Sequence, residues 1–442
     1  MNYQEALDYL NSFVNYERTM SWEYPEAIKL DRMHALAKAL GNPQNAYESI
    51  LIAGSKGKGS TAVILSSILR MENIKVGLYT SPHLVDLRER IQVNGLPINE
   101  MRFVEIVLVL RGVLQDYAWR KNPPTYFEIL TAIAFYYFKE LKVQVAVLEV
   151  GLGGLYDSTN IVQAKVAGIT PISLEHTDKL GKTVAKIAVQ KCGIIKGREI
   201  VVSGVQSSEA EGVIETACRE REAELVRVGE EIRCLEREYG EDFQRFDVRS
   251  PLGDYFGLEL RLLGQHQMMN AAQAIGLAKA LEKKTRLKIS DEAVGQGVSD
   301  ARWPGRMEKI EESPPVLLDG AHNPESMKKL LLSVKRHFQY TQLILVLAVS
   351  SDKDLQGILK EIMPETDCLV ATESRNSRAL RAQAIKEAAA AYEKKTLVEE
   401  NPLAALDRAK SLASPADLIL VTGSLFLVGD VKSASRQTPL KD

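Results

Sequence analysis

The stretch AGSKGKGST, Ala53–Thr61, has the glycine and lysine spacing of a phosphate-binding loop. In the common form, G-x-x-x-x-G-K-[ST], the hydroxyl follows the lysine directly. Here Gly59 follows Lys58, and the hydroxyl comes one position later, at Ser60. Glycines let backbone N–H groups turn towards an anion, and the N-terminus of a following helix favours negative charge. The stretch is either a nucleotide site with altered metal coordination or a glycine-rich turn, and its place after an apolar strand favours the nucleotide site.

Three other polar residues could complete the coordination of a magnesium ion, which prefers octahedral oxygen ligation and retains several waters. They are Ser81 in YTSPHL, Glu149 at the end of VQVAVLEV, and His176 in LEHTD. A carboxylate that closes an apolar strand needs a cation or hydrogen-bond donors. Metal ligation is therefore favoured for Glu149 over a strand-end cap, whereas a structural role and a ligand role are equally open for His176.

Lys191, in the segment AVQKCGIIK, has three interpretations. A plain ammonium close to magnesium would repel the metal. The side chain could instead face a substrate carboxylate, or its neutral amine could take up carbon dioxide and become an anionic carbamate ligand. On the residues alone, a solvated helix lysine is favoured.

Apolar runs alternate with amphipathic stretches in the first half of the chain, which indicates a layered α/β domain with parallel strands. A polar group follows each strand, and the carboxyl ends of parallel strands meet at one edge of a sheet. The sequence therefore predicts one site built from all of them. The predicted strands are Ser49–Ala53, Lys75–Thr80, 143–150 and Lys165–Thr170, and the predicted helices are Lys58–Met71, Thr125–Leu141 and Gly181–Lys196.

Two changes of pattern divide the rest of the chain. From Arg221 to Leu263, charged residues alternate with apolar ones, which predicts an antiparallel β region beside the main sheet. Helices are predicted at Gln267–Leu281 and Ser290–Val298. Proline and glycine then cluster at SDARWPGR, Ser299–Arg306, and the α/β alternation restarts. We predict a large N-terminal domain, 1–299, and a smaller, doubly wound C-terminal domain, 300–442.

Composition excludes several classes of partner. The 442 residues are 45% hydrophobic and 26% charged, with a formal net charge of −2. This balance gives no reason to expect a nucleic-acid or membrane partner. The first residues do not have the pattern of a signal peptide, and the four scattered cysteines indicate reduced thiols. We expect a cytoplasmic protein.

A series of motifs occurs in a fixed order along the chain: AGSKGKGST, GLYTSPHL, ERIQVNG, TYFE, EVGLGG..DSTN, LGKTVAKIAVQKCGIIK, GQHQMMNA, RWPGRME, DGAHNPES, DKD and VTGSLFLVG. This series resembles the folylpolyglutamate synthase/dihydrofolate synthase family of the Mur ligase superfamily. The resemblance covers nearly the whole chain, and YTSPHL and GQHQ..NA distinguish this branch from the peptidoglycan ligases.

The resemblance implies an ATP-binding N-terminal domain with a mostly parallel sheet, a Rossmann-like C-terminal domain, and an active site between them. It implies ATP-dependent amide formation, in which a folate or dihydropteroate carboxylate becomes an acyl phosphate and the amine of L-glutamate displaces phosphate. It also implies two magnesium ions and a monomeric enzyme.

The roles implied by the resemblance fall on positions that match the family motifs. Lys58, His176, Lys191 and His322 are the implied catalytic residues, with Lys191 carbamylated. The implied nucleotide contacts are Gly57, Lys58, Gly59, Ser60, Asn270, Arg306 and Asp319; the implied metal ligands are Ser81, Glu149, His176 and Lys191; and the implied substrate contacts are Thr125, Phe127 and Tyr156. Trp303 is interpreted as a packing residue at the hinge.

Three residues depart from the family pattern. Lys56 stands where the loop usually has asparagine, Leu155 replaces an arginine, and Gln190 replaces a glutamate. Lys56 either adds positive charge beside the phosphates or points to solvent. The other two changes put the preferred substrate in question more than the use of ATP. A choice between dihydropteroate, tetrahydrofolates and both stays open, with both favoured. An amide ligase for another acid, or a phosphate-loop ATPase or kinase, is the alternative.

Overall fold

The computed structural model describes residues 1–17, 29–116 and 118–435. These residues form a large, mostly parallel α/β layer in the N-terminal half, a small antiparallel sheet, and a separate α/β layer in the C-terminal half. This arrangement confirms the predicted fold class. The boundary between residues 299 and 300 stays a prediction.

The N-terminal sheet runs, in the described part of the chain, in the order β4-β3-β2-β5-β1-β6-β7-β8. All neighbours pair in parallel except β2 with β3 and β3 with β4, which are antiparallel. The strands are β1 (Glu48–Ala53), β2 (Val76–Tyr79), β3 (Ile91–Val93), β4 (Leu96–Pro97), β5 (Val145–Glu149), β6 (Val166–Ile169), β7 (Ile200–Ser203) and β8 (Glu224–Arg227).

Helices cover both faces of this sheet. They are α1 (Tyr3–Asn11), α2 (Leu30–Ala39), α3 (Lys58–Met71), α4 (Glu100–Val113), α5 (Ala118–Lys121), α6 (Tyr126–Glu140), α7 (Thr177–Leu180), α8 (Val184–Lys191), α9 (Ser208–Glu220), α10 (Gln265–Lys284) and α11 (Asp291–Asp300).

The apolar strands pack on both faces because alternate side chains of a strand point to opposite sides. In β1, Leu51 and Ala53 join the core with α6, whereas Ile50 and Ile52 join the core with α3 and α10. Helix α6 begins where Thr125 accepts a hydrogen bond from the Glu128 amide and the Glu128 carboxylate accepts one from the Thr125 amide. These cores fix the strand ends that carry the polar residues.

Two predicted elements differ from the observed ones. The antiparallel sheet begins only at β9 (Arg233–Tyr239), followed by β10 (Gln244–Ser250) and β11 (Gly253–Leu260). Strand β8 pairs in parallel with β7 instead, so the predicted start at Arg221 is wrong. As an edge strand, β8 is only partly buried, and its mixed composition resembles that of an antiparallel strand.

The predicted helix Gly181–Lys196 is also shorter in the structure. Thr183 caps α8, which ends at Lys191, and a 3₁₀ turn, Cys192–Ile194, follows. Gly193 lies against the backbone of Leu155, because a Cβ there would come within 2.5 Å of the Leu155 Cα. This close approach is a tertiary contact that helical periodicity does not report.

The C-terminal sheet has the order β12-β13-β17-β14-β15-β16 within the described residues. Only β12 is antiparallel to its neighbour, and two apolar clusters cover the two faces. Its strands are β12 (Glu308–Glu312), β13 (Pro315–Leu318), β14 (Leu343–Leu347), β15 (Cys368–Ala371), β16 (Lys395–Val398) and β17 (Leu418–Thr422), and its helices are α12 (Pro324–His337), α13 (Leu355–Ile362), α14 (Ala382–Ala389), α15 (Pro402–Leu412) and α16 (Leu425–Ser435).

None of the helices within the described ranges combines the length and the apolar character that a bilayer span requires.

Candidate active site

A cleft of about 2150 Å³ lies between the carboxyl edge of the N-terminal sheet and the C-terminal domain. Every site residue predicted from the sequence lines this cleft except Lys191, which lies behind its wall with 2% of its surface exposed. The convergence follows from strand order, because β2, β5, β1 and β6 are consecutive neighbours in the sheet.

The loop after β1 is held in shape by close packing. Gly57 has φ +88°, and a Cβ there would overlap the Asn270 side chain of α10. A Cβ on Gly59 would come within 3.0 Å of the Trp303 ring. The Lys58 Nζ donates to the Gly54 carbonyl oxygen at 3.0 Å. Trp303 therefore packs on the loop itself, and the loop requires glycine at position 57, where a left-handed backbone and a close neighbour coincide.

Ser81 and Glu149 are brought together by the pairing of β2 with β5. The backbone N–H of Ser81 donates to the Glu149 Oε2 at 3.0 Å. Burial raises the pKa of the Glu149 carboxyl, and the positive charge of Lys58 opposes that shift. A buried carboxylate is stabilised by a nearby positive charge, so Glu149 could hold a cation in the cleft.

Behind the loop, Lys191 forms a buried ion pair, so the solvated helix lysine that the residues alone favour is wrong, because the fold packs α8 against the loop after β6. Its Nζ donates to the Glu175 Oε1 at 2.8 Å and to the Gly54 carbonyl oxygen at 2.7 Å. Burial lowers the pKa of Lys191 to about 8, although Glu175 opposes the shift. Burial alone would raise the pKa of Glu175, but Lys191 and Lys58 together lower it to about 2. The signal in the sequence was the position of Glu175 in the loop that follows β6, one residue before His176.

His176 is held in the left-handed region, with φ 46°, at the start of α7. Burial lowers the pKa of its imidazole, with Glu175 opposing and Lys58 reinforcing the shift. The side chain is therefore a neutral imidazole at neutral pH, which is the form that ligates metals.

The C-terminal domain contributes Arg306, Asp319 and His322 to the opposite wall. The Asp319 carboxylate accepts hydrogen bonds from the Met307 amide at 2.9 Å and the Ala321 amide at 2.8 Å. Burial raises its pKa, and Arg306 opposes that shift. The positive charge of Arg306 also acts on Glu149 across the cleft, so the two walls are electrostatically connected.

His322 presents one defined tautomer. Its Nδ1 lies 2.8 Å from the Gly320 carbonyl oxygen, which can only accept, so Nδ1 carries the proton. Burial, reinforced by Lys56, lowers the pKa of His322 to about 4. The imidazole is consequently neutral at physiological pH, with the lone pair on Nε2.

The three predicted substrate contacts all line the cleft. The Thr125 hydroxyl is used as the cap of α6. The Phe127 ring lies 5.9 Å from that of Tyr79 and covers Gly151, where a Cβ would come within 2.6 Å of its Cζ. Tyr156 is another aromatic side chain that lines the cleft. A flat ring could lie against these side chains, with its polar edge towards the cleft.

The departures from the family pattern have different surroundings. Lys56 lines the cleft, and burial lowers its pKa while Glu175 opposes the shift. This placement favours added positive charge over a solvent-directed side chain. The Leu155 amide donates to the Gln190 carbonyl oxygen at 2.9 Å, so these two positions are adjacent and the two departures occur at one place.

The chain matches two family models, the Mur ligase middle domain over residues 52–278 and the glutamate ligase domain of Mur ligases over residues 305–425. It is 33% identical to the dihydrofolate synthase/folylpolyglutamate synthase of Bacillus subtilis, over 95% of this chain and 99% of that protein. The structure is similar to Mycobacterium tuberculosis folylpolyglutamate synthase complexed with ADP, with a TM-score of 0.89, 32% identity and 98% coverage of both chains. It is also similar to Escherichia coli FolC in complex with DHPP and ADP, with a TM-score of 0.86, 29% identity and 99% coverage of both.

Proposed function

This chain belongs to the Mur ligase family and, within it, to the folylpolyglutamate synthase/dihydrofolate synthase branch, and we propose that its cleft joins L-glutamate to a folate or dihydropteroate carboxylate at the expense of ATP. The observation that carries this proposal is the convergence of the phosphate loop, Ser81, Glu149 and His176 opposite Arg306, Asp319 and His322 in one cleft. The ADP complexes of related enzymes support the use of a nucleotide here.

The first step brings together two anions, the substrate carboxylate and the γ-phosphate. A carboxylate oxygen attacks phosphorus, ADP leaves, and an acyl phosphate forms. Lys58 on one wall and Arg306 on the other offset the negative charge, which a cleft of low dielectric would otherwise penalise strongly. The loop amides between Gly57 and Ser60 would hold the phosphates.

In the second step, the amine of L-glutamate attacks the acyl carbon and phosphate leaves. The amine loses a proton as the amide forms, so a nearby acceptor assists the step. His322 can act as a hydrogen-bond acceptor, because its Nδ1 proton is donated to the Gly320 carbonyl oxygen and its Nε2 therefore carries a lone pair. We propose that Nε2 accepts a hydrogen bond from the attacking amine and orients it.

The residues fit magnesium held jointly by protein and nucleotide. No group of three His, Cys, Asp or Glu side chains suited to a metal occurs in the part of the chain that the structure describes. Magnesium needs few protein ligands when phosphate oxygens and waters complete its shell. The buried Glu149 carboxylate and Ser81 would hold one ion, and neutral His176 a second, each supplying positive charge to the phosphates.

Carbamylation of Lys191 belongs to the same proposal. In that reaction the neutral amine adds to carbon dioxide and releases one proton. The lowered pKa of Lys191, about 8, supports it because a fraction of the amine is neutral near physiological pH. Carbamylation would remove the positive charge of Lys191 and so end its ion pair with Glu175. The resulting anionic side chain would face the phosphate loop and the metal bound there. Lys58 and Lys56 lie in the same environment and would offset the added negative charge.

Asn270 contacts the loop at Gly57, which supports a role beside the nucleotide. We propose that the part of the cleft lined by Thr125, Phe127 and Tyr156 holds the pterin. We propose activity on both dihydropteroate and tetrahydrofolates. Leu155 and Gln190, at one place in the structure, are where another acid preference would arise. A monomeric state and a cytoplasmic location stay predictions.

The decisive experiment is product mass after incubation of the pure protein with Mg-ATP, L-glutamate and either dihydropteroate or tetrahydrofolate. We expect one added glutamate on the first substrate and repeated additions on the second. Addition to only one substrate would limit the activity to one reaction. No addition to either, with ATP still bound, would overturn the folate assignment, and phosphate release without glutamate would indicate an ATPase instead.

A further inference from the structure

Leu84 connects the two domains at the loop that carries Ser81. The loop, residues 81–86, leaves β2 of the N-terminal domain, but the Leu84 side chain packs against the apolar cluster of the C-terminal domain that includes Val428. Leu84 also lines the cleft. Leu84 is therefore part of the N-terminal wall of the cleft in the sequence, but its side chain packs against the C-terminal wall.

Two glycines of the C-terminal domain shape the seat for this leucine. A Cβ on Gly305 would come within 3.3 Å of the Leu84 Cδ2 and 3.1 Å of the Val428 Cγ1. A Cβ on Gly429, in α16, would overlap the Leu84 carbonyl oxygen and lie 3.3 Å from its carbonyl carbon. Because a backbone atom cannot move away as a flexible side-chain tip can, helix α16 approaches the loop this closely only with glycine at position 429.

The loop is held firmly on its own side. The amides of Leu84 and Val85 donate to the Glu89 Oε2 at 2.8 and 3.2 Å. The Ser81 amide donates to the Glu149 carboxylate at 3.0 Å. These hydrogen bonds fix the conformation of the short segment between Ser81 and Val85. We therefore expect a displacement of Leu84 to displace Ser81 as well.

Gly305, which contacts Leu84, is in turn hydrogen-bonded to the C-terminal wall of the cleft. Gly305 directly precedes Arg306, and its carbonyl oxygen accepts from the Gly320 amide at 3.1 Å, beside Asp319. Its own amide donates to the Glu308 Oε2 at 2.8 Å, and the other carboxylate oxygen of Glu308 pairs with Lys432 of α16. The contact of Leu84 with Gly305 thus links the Ser81 loop to the segment that carries Arg306 and pairs beside Asp319.

We propose that Leu84 is a positioning residue, which sets the Ser81 loop of one domain in register with Arg306 and Asp319 of the other, and that Gly429 is required to admit it. The functional part of this inference rests on the proposed ligase reaction. The contact itself does not, so the two can fail separately.

The test compares four variants. Gly429→Ala pushes the loop away, Leu84→Ala removes the side chain from its seat, and Leu84→Met restores an apolar side chain of similar volume. Leu412→Ala is the matched control, because Leu412, in α15, is also a partly buried leucine packed against the same apolar cluster but belongs to the C-terminal domain. Amide hydrogen exchange at Leu84 and Val85, which needs no substrate, is measured alongside kcat and KM for ATP.

We expect faster exchange at both amides in Gly429→Ala and a fall in kcat of about tenfold or more in Gly429→Ala and Leu84→Ala, because small misplacements of reacting groups are costly. KM for ATP should change far less, since the phosphate loop is intact, and Leu84→Met should recover most of kcat. Wild-type exchange in Gly429→Ala, or an equal loss of kcat in Leu412→Ala, would overturn the proposal. If the wild-type protein had no ligase activity, the proposed function would be overturned. Amide hydrogen exchange at Leu84 and Val85 would still test the packing of Leu84 against Gly429.

Discussion

At the scale of single residues, the cleft depends on charges that are buried in compensating sets. Lys191 and Glu175 illustrate this, because neither group would be stable in its charged form without the other. The pair lies against the Gly54 carbonyl oxygen, at the base of the phosphate loop. A change in the charge of Lys191 should therefore alter the electrostatic environment of the phosphate loop.

Replacement of Lys191 by alanine tests the carbamate directly. We expect a loss of activity of about a hundredfold or more, because an anionic ligand and its orienting contacts disappear together. Formate or acetate should restore part of the rate by occupying the vacated space. Lys186→Ala, on the exposed side of the same helix, is the control and should retain full activity. Wild-type turnover by Lys191→Ala would rule out the carbamate.

In protein whose Lys191 is unmodified, the same ion pair makes a prediction about acid stability. The folded-state pKa of Glu175, about 2, lies below its ordinary value of 4.5. Its contribution is therefore complete above about pH 4.5 and disappears as the pH falls towards 2, with a magnitude on the order of 3 kcal/mol.

Urea unfolding of wild type and Glu175→Gln as a function of pH measures this contribution. The difference in unfolding free energy should be largest near neutral pH and shrink steadily below pH 4.5. Glu222→Gln, which alters an exposed pair with Arg198, should match wild type throughout. A difference for Glu175→Gln that is independent of pH would contradict the assignment of the charge.

At the scale of elements, the site is organised by the junction of β1, the phosphate loop and α3. Helix α3 is buried along most of its length between the sheet and helices α10 and α11. Since it cannot adjust its position, the backbone of the loop must fit between α3 and Asn270 without strain. Glycine is required where a left-handed backbone and a close neighbour coincide.

Gly57→Ala should therefore impair nucleotide binding without unfolding the protein. Its Cβ would overlap the Asn270 side chain at a φ of +88°, so both the loop and Asn270 must move. We expect the affinity for a non-hydrolysable ATP analogue, measured by calorimetry, to fall about tenfold or more.

Gly295→Ala, inside α11, is the matched control. A Cβ there meets no described atom within 4 Å, and alanine is favoured over glycine in a helix by up to about 1 kcal/mol. This variant should be slightly more stable and bind the analogue normally. Equal affinities for both variants would show that the loop tolerates a side chain at Gly57.

At the scale of the whole molecule, the function needs both domains because neither wall is complete alone. Glu149 from one domain lies within the electrostatic influence of Arg306 from the other. A ligand that bridges the walls should stabilise the two-domain arrangement by an amount that grows with the logarithm of its concentration, about 2.7 kcal/mol at a hundred times its Kd.

Thermal unfolding with and without the Mg-bound ATP analogue tests this expectation. The analogue should raise Tm for wild type, and Arg306→Ala should reduce that increase while leaving the Tm of the free protein nearly unchanged. Arg408→Ala, on the exposed face of α15, is the control. A ligand-induced shift that is the same in Arg306→Ala as in wild type would place the nucleotide on the N-terminal wall alone.

Local patterns in the sequence were sufficient to predict the strands, the phosphate loop and the single edge at which the polar residues meet. Apolar runs of strand length specify buried strands, and parallel strands necessarily share their carboxyl edge. The two-domain α/β class followed from the same alternation. Weakly buried edge elements were the exception, and β8 was assigned to the wrong sheet because its residues alternate as in an antiparallel strand.

Only the tertiary structure decided the contacts on which the chemistry depends. The strand order places β5 between β1 and β2, which brings Ser81 to Glu149, and the packing of α8 against the loop after β6 creates the pair of Lys191 with Glu175. The seat of Leu84 against Gly429 joins residues more than three hundred positions apart. Periodicity and motif spacing record the local backbone, whereas such contacts depend on how complete elements pack, and that information is distributed over the whole chain.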